Sequence, residues 1–493
     1  MLPVPCTTML VGKNASYDGS TMIARNDDSG SGSFTPKKFV SIAPEQQPRH
    51  YRSVLSHLEL DLPENPLRYT AVPNAVAGKG IWAASGVNEA NVAMTATETI
   101  TSNPRVLGAD PLVEYLPPKD GRPEVPGGIG EEDMVCLVLP YIRTAREGVR
   151  RLGALLERYG TYEMNGIAFQ DSDEIWWLET IGGHHWMARR VPDDCYVVMP
   201  NQLGIDRFDM DDALGEQKAF MASTGLKQWM EDYHLDLSLN GVLNPRDAFG
   251  SHDDADHVYN TPRAWYMLRT LNPHTRRWDG PQADCTPESD DLPWCMVPER
   301  KITVEDVKYV LSSHYQGTPY DPYGAYGDGS QRGKYRTIGI NRNDFLAIIQ
   351  MRPGRDPVEW LSFASNAFSV SVPMYAAVTR TPDYLANTTG AVSTGNYYWC
   401  SRLIAAMADA SYKKSQFHIE HYQERVAARG HALLNRYDAL LAAAPDDAAR
   451  LALRHQANDE IAAMAEQAGA ETLKLVLDEL SNGMKNAFSR SDA

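Results

Sequence analysis

No apolar run in the 493-residue chain approaches the ~20 residues needed to cross a bilayer. The longest clear ones, Val135-Cys-Leu-Val-Leu139 and Leu440-Leu-Ala-Ala-Ala444, are far too short, so no membrane anchor is expected. The opening Met1-Leu-Pro-Val-Pro5 lacks the basic segment and apolar stretch of a secretory signal, which places the expected location in the cytoplasm. Positive charge is also scarce: 47 Lys and Arg stand against 64 Asp and Glu, a net charge of −17. That balance argues against nucleic acid and anionic membranes as partners. Cysteine is sparse, with six residues at 6, 136, 195, 285, 295 and 400 and no C-x-x-C pair, a pattern of reduced thiols rather than a disulfide framework. There is no internal repeat and no low-complexity segment.

What is present is an ordinary globular composition, 43% hydrophobic and 23% charged, able to build a large core. At about 150 residues per domain, the length alone suggests roughly three units. The chain opens on Cys6-Thr-Thr-Met-Leu-Val11, turns through Gly12 to Ser20, and resumes as Thr21-Met-Ile-Ala-Arg25, which reads as a β-hairpin. Further strand-like runs are Gly80–Ala84, Val92–Thr95, Gly166–Phe169, Ile175–Glu179, His185–Arg189 and Cys195–Met199, many joined by Asp, Gly or Pro turns. A second block reads as strands at Leu346–Gln350, Trp360–Ala364 and Val370–Val378. Helical periodicity marks Thr144–Tyr159, a helix capped by Thr303, and the chain from about Gly395 onward. In the tail, Asp446 reads as an N-cap, and Ile461, Met464, Ala465 and Ala468 form a stripe that packs on the body of the protein. Blocks of strands and blocks of helices indicate layered α+β architecture with antiparallel sheets.

Cys6 is the residue most capable of chemistry. Were Met1 to Pro5 removed, its thiol and a free α-amine would share one residue, and an amine with a pKa of about 7.7–8.0 is a credible base for a thiol near 8.5. The hairpin return delivers Arg25-Asn-Asp-Asp28, so Arg25 and Asp28 are expected close to Cys6. Arginine there holds a thiolate by charge, and aspartate accepts hydrogen bonds from an α-ammonium. Cleavage before Cys6 must break a Pro–Cys bond, by an N-to-S acyl shift or by another peptidase, and both routes stay open.

The segment from Cys6 to Asp28 resembles the opening of the bacterial peptidase D-type (dipeptidase A) cysteine dipeptidases. These are relatives of the secernins and, more remotely, of penicillin V acylases and bile salt hydrolases. The resemblance continues in Gly86-Val-Asn-Glu-Ala-Asn-Val-Ala-Met-Thr-Ala-Thr-Glu-Thr99, Met199-Pro-Asn-Gln202, Asn260-Thr-Pro-Arg263, His314-Tyr-Gln-Gly-Thr-Pro-Tyr-Asp321 and Ser365-Asn-Ala-Phe368. It implies an N-terminal-nucleophile hydrolase fold, two stacked antiparallel β-sheets flanked by helices (αββα), over residues 6–412. Residues 1–5 would be a propeptide and residues 413–493 a C-terminal helical extension. It implies hydrolysis of dipeptides with no metal and no other cofactor, Cys6 being the nucleophile and Arg25 and Asp28 matching the family's Arg-x-x-Asp. Asn201 matches an asparagine that donates to the oxyanion, and Arg263 a distal arginine of the acylase relatives. Glu98 falls where those relatives have an oxyanion-hole asparagine. A carboxylate cannot donate there unless protonated, so Glu98 is expected instead to bind the substrate's ammonium. The alternatives are the same nucleophile acting on a non-peptide amide, a non-catalytic secernin-like protein, and a metallopeptidase. The expected partners are dipeptides, and association into a homo-oligomer stays open.

Three other constellations read as ordinary structure. Ser251-His-Asp-Asp-Ala-Asp-His257 lacks two histidines at helical i, i+4 spacing and reads as a polar loop. His184 and His185 are adjacent on a strand and point to opposite faces. Gly324–Ser330 is glycine-rich without the Gly-Lys-Ser/Thr ending of a phosphate loop.

Overall fold

The computed structural model describes residues 6–324 and 327–484, without the side chains of residues 96–98. Met1 to Pro5 and residues 325 and 326 thus lie outside the described residues. Thirteen strands form two main antiparallel sheets. In chain order they are β1 (Cys6–Val11), β2 (Thr21–Asp28), β3 (Ser85–Val87), β4 (Ala93–Thr99), β5 (Asn165–Gln170), β6 (Ile175–Ile181), β7 (His185–Arg190), β8 (Tyr196–Met199), β9 (Phe220–Ala222), β10 (Cys295–Met296), β11 (Asn343–Met351), β12 (Val358–Phe363) and β13 (Val372–Tyr375). The first sheet runs β10-β8-β1-β2-β11-β12-β13 and the second β9-β7-β6-β5-β4-β3. The fold is α+β.

Period-two alternation assigns each strand two faces. On β1, Leu10 joins a core between the sheets with Ile23, Trp177, Ala168 and Ile349. Met9 and Val11 point the other way, toward Trp265, Val307 and Val310 on helices α3 (Thr261–Leu271) and α4 (Val304–Leu311). On β6, Ile175, Trp177 and Ile181 face the first sheet, whereas Trp176 and Leu178 pack under helices α1 (Glu131–Val138) and α2 (Ala145–Tyr159). Two sheets thus lie face to face with helices on both outer surfaces. Thr144 caps α2 through the Glu147 N–H, and Thr303 caps α4 through the Asp306 N–H, each at 3.1 Å.

Helix α5 (Tyr397–Ala410) leads into the long pair α6 (Tyr412–Ala442) and α7 (Asp447–Asn482). Asp446 caps α7 through the Ala449 N–H at 2.8 Å. The pair straddles the β13 edge of the first sheet. Ile419, Val426, Ile461 and Ala465 pack with Leu361 and Met374 on one side, and Leu434, Tyr437 and Ala457 with Trp360 and Tyr375 on the other.

The expected strand at Gly80–Ala84 does not form, and pairing starts only at Ser85. Gly80 has φ +87° and Trp82 φ +48°, which breaks the extended backbone. A side chain at Gly80 would also collide with Glu132 Oε2. The carbonyls of Trp82 and Ala84 accept from side chains of the site instead. All six cysteines are free thiols.

Candidate active site

β1 and β2 are neighbours with Cys6 opposite Asp27 and Thr8 opposite Arg25. Residues opposite one another share a face, so Cys6, Arg25 and Asp27 all project between the sheets. Cys6 and Arg25 are fully buried. Arg25 Nη2 lies 2.9 Å from Cys6 Sγ and 2.5 Å from Glu131 Oε1, and reaches Asp27 Oδ1 at 3.5 Å. Its other amino group donates to the Ala84 carbonyl at 3.4 Å. Lys37 completes the group, bonding Asp27 Oδ2 at 2.8 Å and the Trp82 carbonyl at 3.3 Å. The irregular stretch before β3 therefore supplies acceptors to both cations.

Glu131 opens α1, where the helix dipole favours a negative charge. Its N–H donates to Glu163 Oε1 at 2.6 Å. Burial and the nearby Glu131 charge push the Glu163 carboxyl up to about 8, and burial together with Glu132 pushes Asp133 up to about 7. Burial also works against ionisation of Asp27, but Lys37 and Arg25 outweigh it and hold that carboxyl below its ordinary range. A persistent anion thus sits directly across from Cys6, paired with two cations.

Asp28 lies one residue further along β2, and alternation turns it to the Thr7 side. There it is bound by Arg336 and by Asn343 Nδ2, the latter at 2.8 Å, and burial raises its carboxyl despite both partners. The expectation that Asp28 is the acid facing Cys6 is therefore off by one position in the register, and Asp27 occupies that place. Arg336 also reaches Thr7 Oγ1 at 3.5 Å, so Asp28 supports β1 from behind.

Asn201 and Arg263 meet at the same strand end. The Cys6 N–H donates to Asn201 Oδ1 at 3.3 Å. Arg263, from α3, donates to the Cys6 carbonyl, to Thr7 Oγ1 at 2.7 Å, and to Asn201 Oδ1 and Asn260 Oδ1, both at 2.7 Å. Asn201 Nδ2 donates to the Thr99 carbonyl at 2.9 Å. Asn260 receives the Asn201 N–H at 3.1 Å and is itself held by Asp256, which also accepts from Ser251. The side chain of Glu98 lies outside the described residues; its backbone pairs with Gly166 on β5.

Of the expected residues, Cys6, Arg25, Asn201 and Arg263 come together in one buried network, which Asp28 joins from the Thr7 side through Arg336. Lys37, Asp27, Glu131, Asn260 and Arg336 belong to the same network and escape sequence reasoning. Glu131 carried one usable signal, a triple acidic start, Glu131-Glu-Asp133, before an apolar run. Among the described residues, Cys6, Asp27 and Glu131 form one group whose ligand atoms lie within 4.8 Å of one another, close enough for a metal ion. Arg25 and Lys37 already neutralise its carboxylates and would oppose a cation. His184 pairs with Asp110 and His185 with Ser223, while His257 pairs with Asp290, so these histidines engage separate partners. No helix among the described residues is long and apolar enough to cross a membrane.

Comparison with known proteins identifies relatives along most of the chain. A dipeptidase from Bifidobacterium longum (strain NCC 2705) is 59% identical over 464 residues, covering 93% of this chain and 87% of its own length. A probable dipeptidase A from Streptococcus pyogenes serotype M3 (strain SSI-1) is 52% identical over 496 residues, covering 99% of this chain and all of its own length. Dipeptidase A from Lactobacillus helveticus is 44% identical over 445 residues, 89% of each chain. The sequence pattern of peptidase family C69 matches residues 5–425, a span that takes in Cys6, both sheets and every member of the buried network. This chain belongs to peptidase family C69.

Proposed function

We propose that this protein is a cysteine dipeptidase of the N-terminal-nucleophile hydrolase type, with the thiol of Cys6 as nucleophile. Family membership and the dipeptidase names of its relatives support the hydrolysis of dipeptides. The observation that carries the mechanism is the Cys6 environment. A guanidinium 2.9 Å from the sulfur favours thiolate, and the Cys6 nitrogen is held by Asn201 Oδ1.

In this reading, removal of Met1 to Pro5 frees the Cys6 α-amine, which takes the thiol proton. The thiolate attacks the peptide carbonyl. The tetrahedral oxyanion is met by the Asn201 amide hydrogen not engaged by Thr99 and by backbone N–H groups, a role worth several kcal/mol in comparable sites. The α-ammonium returns its proton to the leaving amine as the C–N bond breaks. Water, deprotonated by the same amine, then attacks the thioester and releases the acid with Cys6 restored. Arg25 holds the thiolate, Arg263 fixes Asn201 and the Cys6 carbonyl, and Asp28 braces β1 through Arg336.

Glu98 is assigned to the substrate ammonium. Turnover of free against N-acetylated dipeptides tests this together with the dipeptide reading. Wild type should prefer free dipeptides, and Glu98→Gln should erode that preference; an unchanged ratio removes Glu98 from the role. A wild type that prefers acylated amides points to acylase chemistry instead. Chelator should leave turnover intact, whereas loss of activity in chelator, restored by a divalent metal, would favour a metallopeptidase.

A further inference from the structure

Among the cavities that the mechanism leaves unused, one combines aromatic walls with a lysine. It opens between α4, the turn after β12 and the face of α6, and encloses about 710 Å³, a volume in the range of small-molecule sites. Trp360, Phe368, Tyr412 and Ile419 line it with apolar and aromatic surface, and Lys308 of α4 lines it as well. The Lys308 ammonium donates to Ser312 Oγ at 2.7 Å and to the Asn366 carbonyl at 2.6 Å. Lysine has three donors, so one remains. Among the described residues no carboxylate pairs with it, and removal from water alone pushes its ammonium down to about 7.

The position of this cation is fixed rather than adventitious. Asn366, whose carbonyl it bonds, donates its own amide to Asn26 Oδ1 at 2.7 Å and to the Leu311 carbonyl at 2.9 Å, which anchors the arrangement to β2. A cation preorganised by neutral acceptors beside aromatic walls complements an anion with an apolar body. We propose that this cavity is a second ligand site, taking a small carboxylate with an apolar body whose carboxylate pairs with Lys308. Glu420 and Glu424 also line the cavity, on the exposed side of α6. They disfavour a purely anionic molecule and favour one that carries an ammonium, so a free apolar α-amino acid is preferred over a simple acid.

Calorimetric titration of the full-length protein tests this with L-phenylalanine, 3-phenylpropanoate and phenethylamine. L-phenylalanine should bind, and phenethylamine, which lacks the carboxylate, should bind at least tenfold more weakly. Equal binding of 3-phenylpropanoate keeps the site and assigns it to simple carboxylates. Lys308→Gln should weaken L-phenylalanine binding at least tenfold and leave the dipeptide KM unchanged. Ala427→Trp, which fills the cavity from α6 and leaves the Lys308 side chain in place, should give the same loss and guards against a folding defect in the first variant. The proposal is overturned if wild type binds none of the three at millimolar concentration, or if both variants bind like wild type. It is equally overturned if alkylation of Cys6 abolishes binding that both variants retain, since the ligand would then lie in the dipeptide site.

Discussion

Arg25 bonds the Cys6 sulfur and two carboxylates at once, so its replacement separates charge from geometry. Arg25→Lys keeps the charge but loses the second amino group, which holds the Ala84 carbonyl while Nη2 meets the sulfur and Glu131. We expect its kcat/KM to fall by about a hundredfold, on the scale of removing a preorganised electrostatic contact, with the acidic limb of the pH profile moved to higher pH because the thiolate is held less firmly. An unshifted limb would show that Arg25 does not act on the thiol. Arg25→Met should instead unfold the protein at lower temperature, because leaving Glu131 and Asp27 buried without it costs about 3–5 kcal/mol. Glu359 provides a separate test at this scale. It is fully buried, with one oxygen accepting from Thr70 Oγ1 at 2.5 Å and the other unpartnered, and burial raises its carboxyl from its ordinary value of 4.5 to about 8. Between those values the unfolded chain is ionised while the folded chain holds a proton, so its contribution to stability falls as pH rises through that interval and levels off above about 8. Glu359→Gln should match wild type in Tm near pH 5 and exceed it near pH 8.5; parallel Tm curves would refute the assignment. Cys6, Arg25, Asn201 and Arg263 were legible because each sits in a compact motif. Asp27 was not, because choosing between two adjacent aspartates needs the hairpin register, which the long turn between β1 and β2 leaves undetermined.

At the scale of elements, most strands of the two central sheets were legible because they alternate or run wholly apolar between turn residues, whereas Ser85–Val87, Phe220–Ala222 and Cys295–Met296 are too short to carry such a pattern. Positions 80–84 failed for a physical reason: a β-rich composition was overridden by positive φ at Gly80 and Trp82. That break is what offers the Ala84 and Trp82 carbonyls to Arg25 and Lys37. The tail helices had caps and an apolar stripe in the sequence, but their destination is set by long-range packing. Asn458 on α7 shows how closely they fit the sheet edge. Its side chain accepts from the Tyr375 N–H at 2.8 Å and donates to the Tyr375 carbonyl at 3.0 Å, standing in for a further strand beside β13. Asn458→Ala should lower stability by about 2–4 kcal/mol, since it leaves two buried backbone groups unpaired. Thermal unfolding measures the loss, and dipeptide turnover at low temperature should be unaffected because the residue lies far along the sheet from Cys6. A Tm within a degree of wild type would mean that the edge is secured by packing alone.

For the whole molecule, the α+β class and the layering followed from blocks of strands and helices, whereas the union of the tail with both cores did not. Helices α6 and α7 cover apolar surface on either side of β13. Deletion of residues 413–493 should therefore abolish the cooperative thermal transition and expose dye-binding apolar surface. A truncated chain that melts near the wild-type temperature would make the tail a separable extension. The account as a whole rests on Cys6, the point where strand register, buried charge and the proposed processing site coincide. Dipeptide turnover by purified Cys6→Ala, with folding verified by its thermal transition, tests it most directly. Turnover should fall by at least about a thousandfold, as expected when a nucleophile is removed, and turnover within tenfold of wild type by the folded variant would contradict the mechanism.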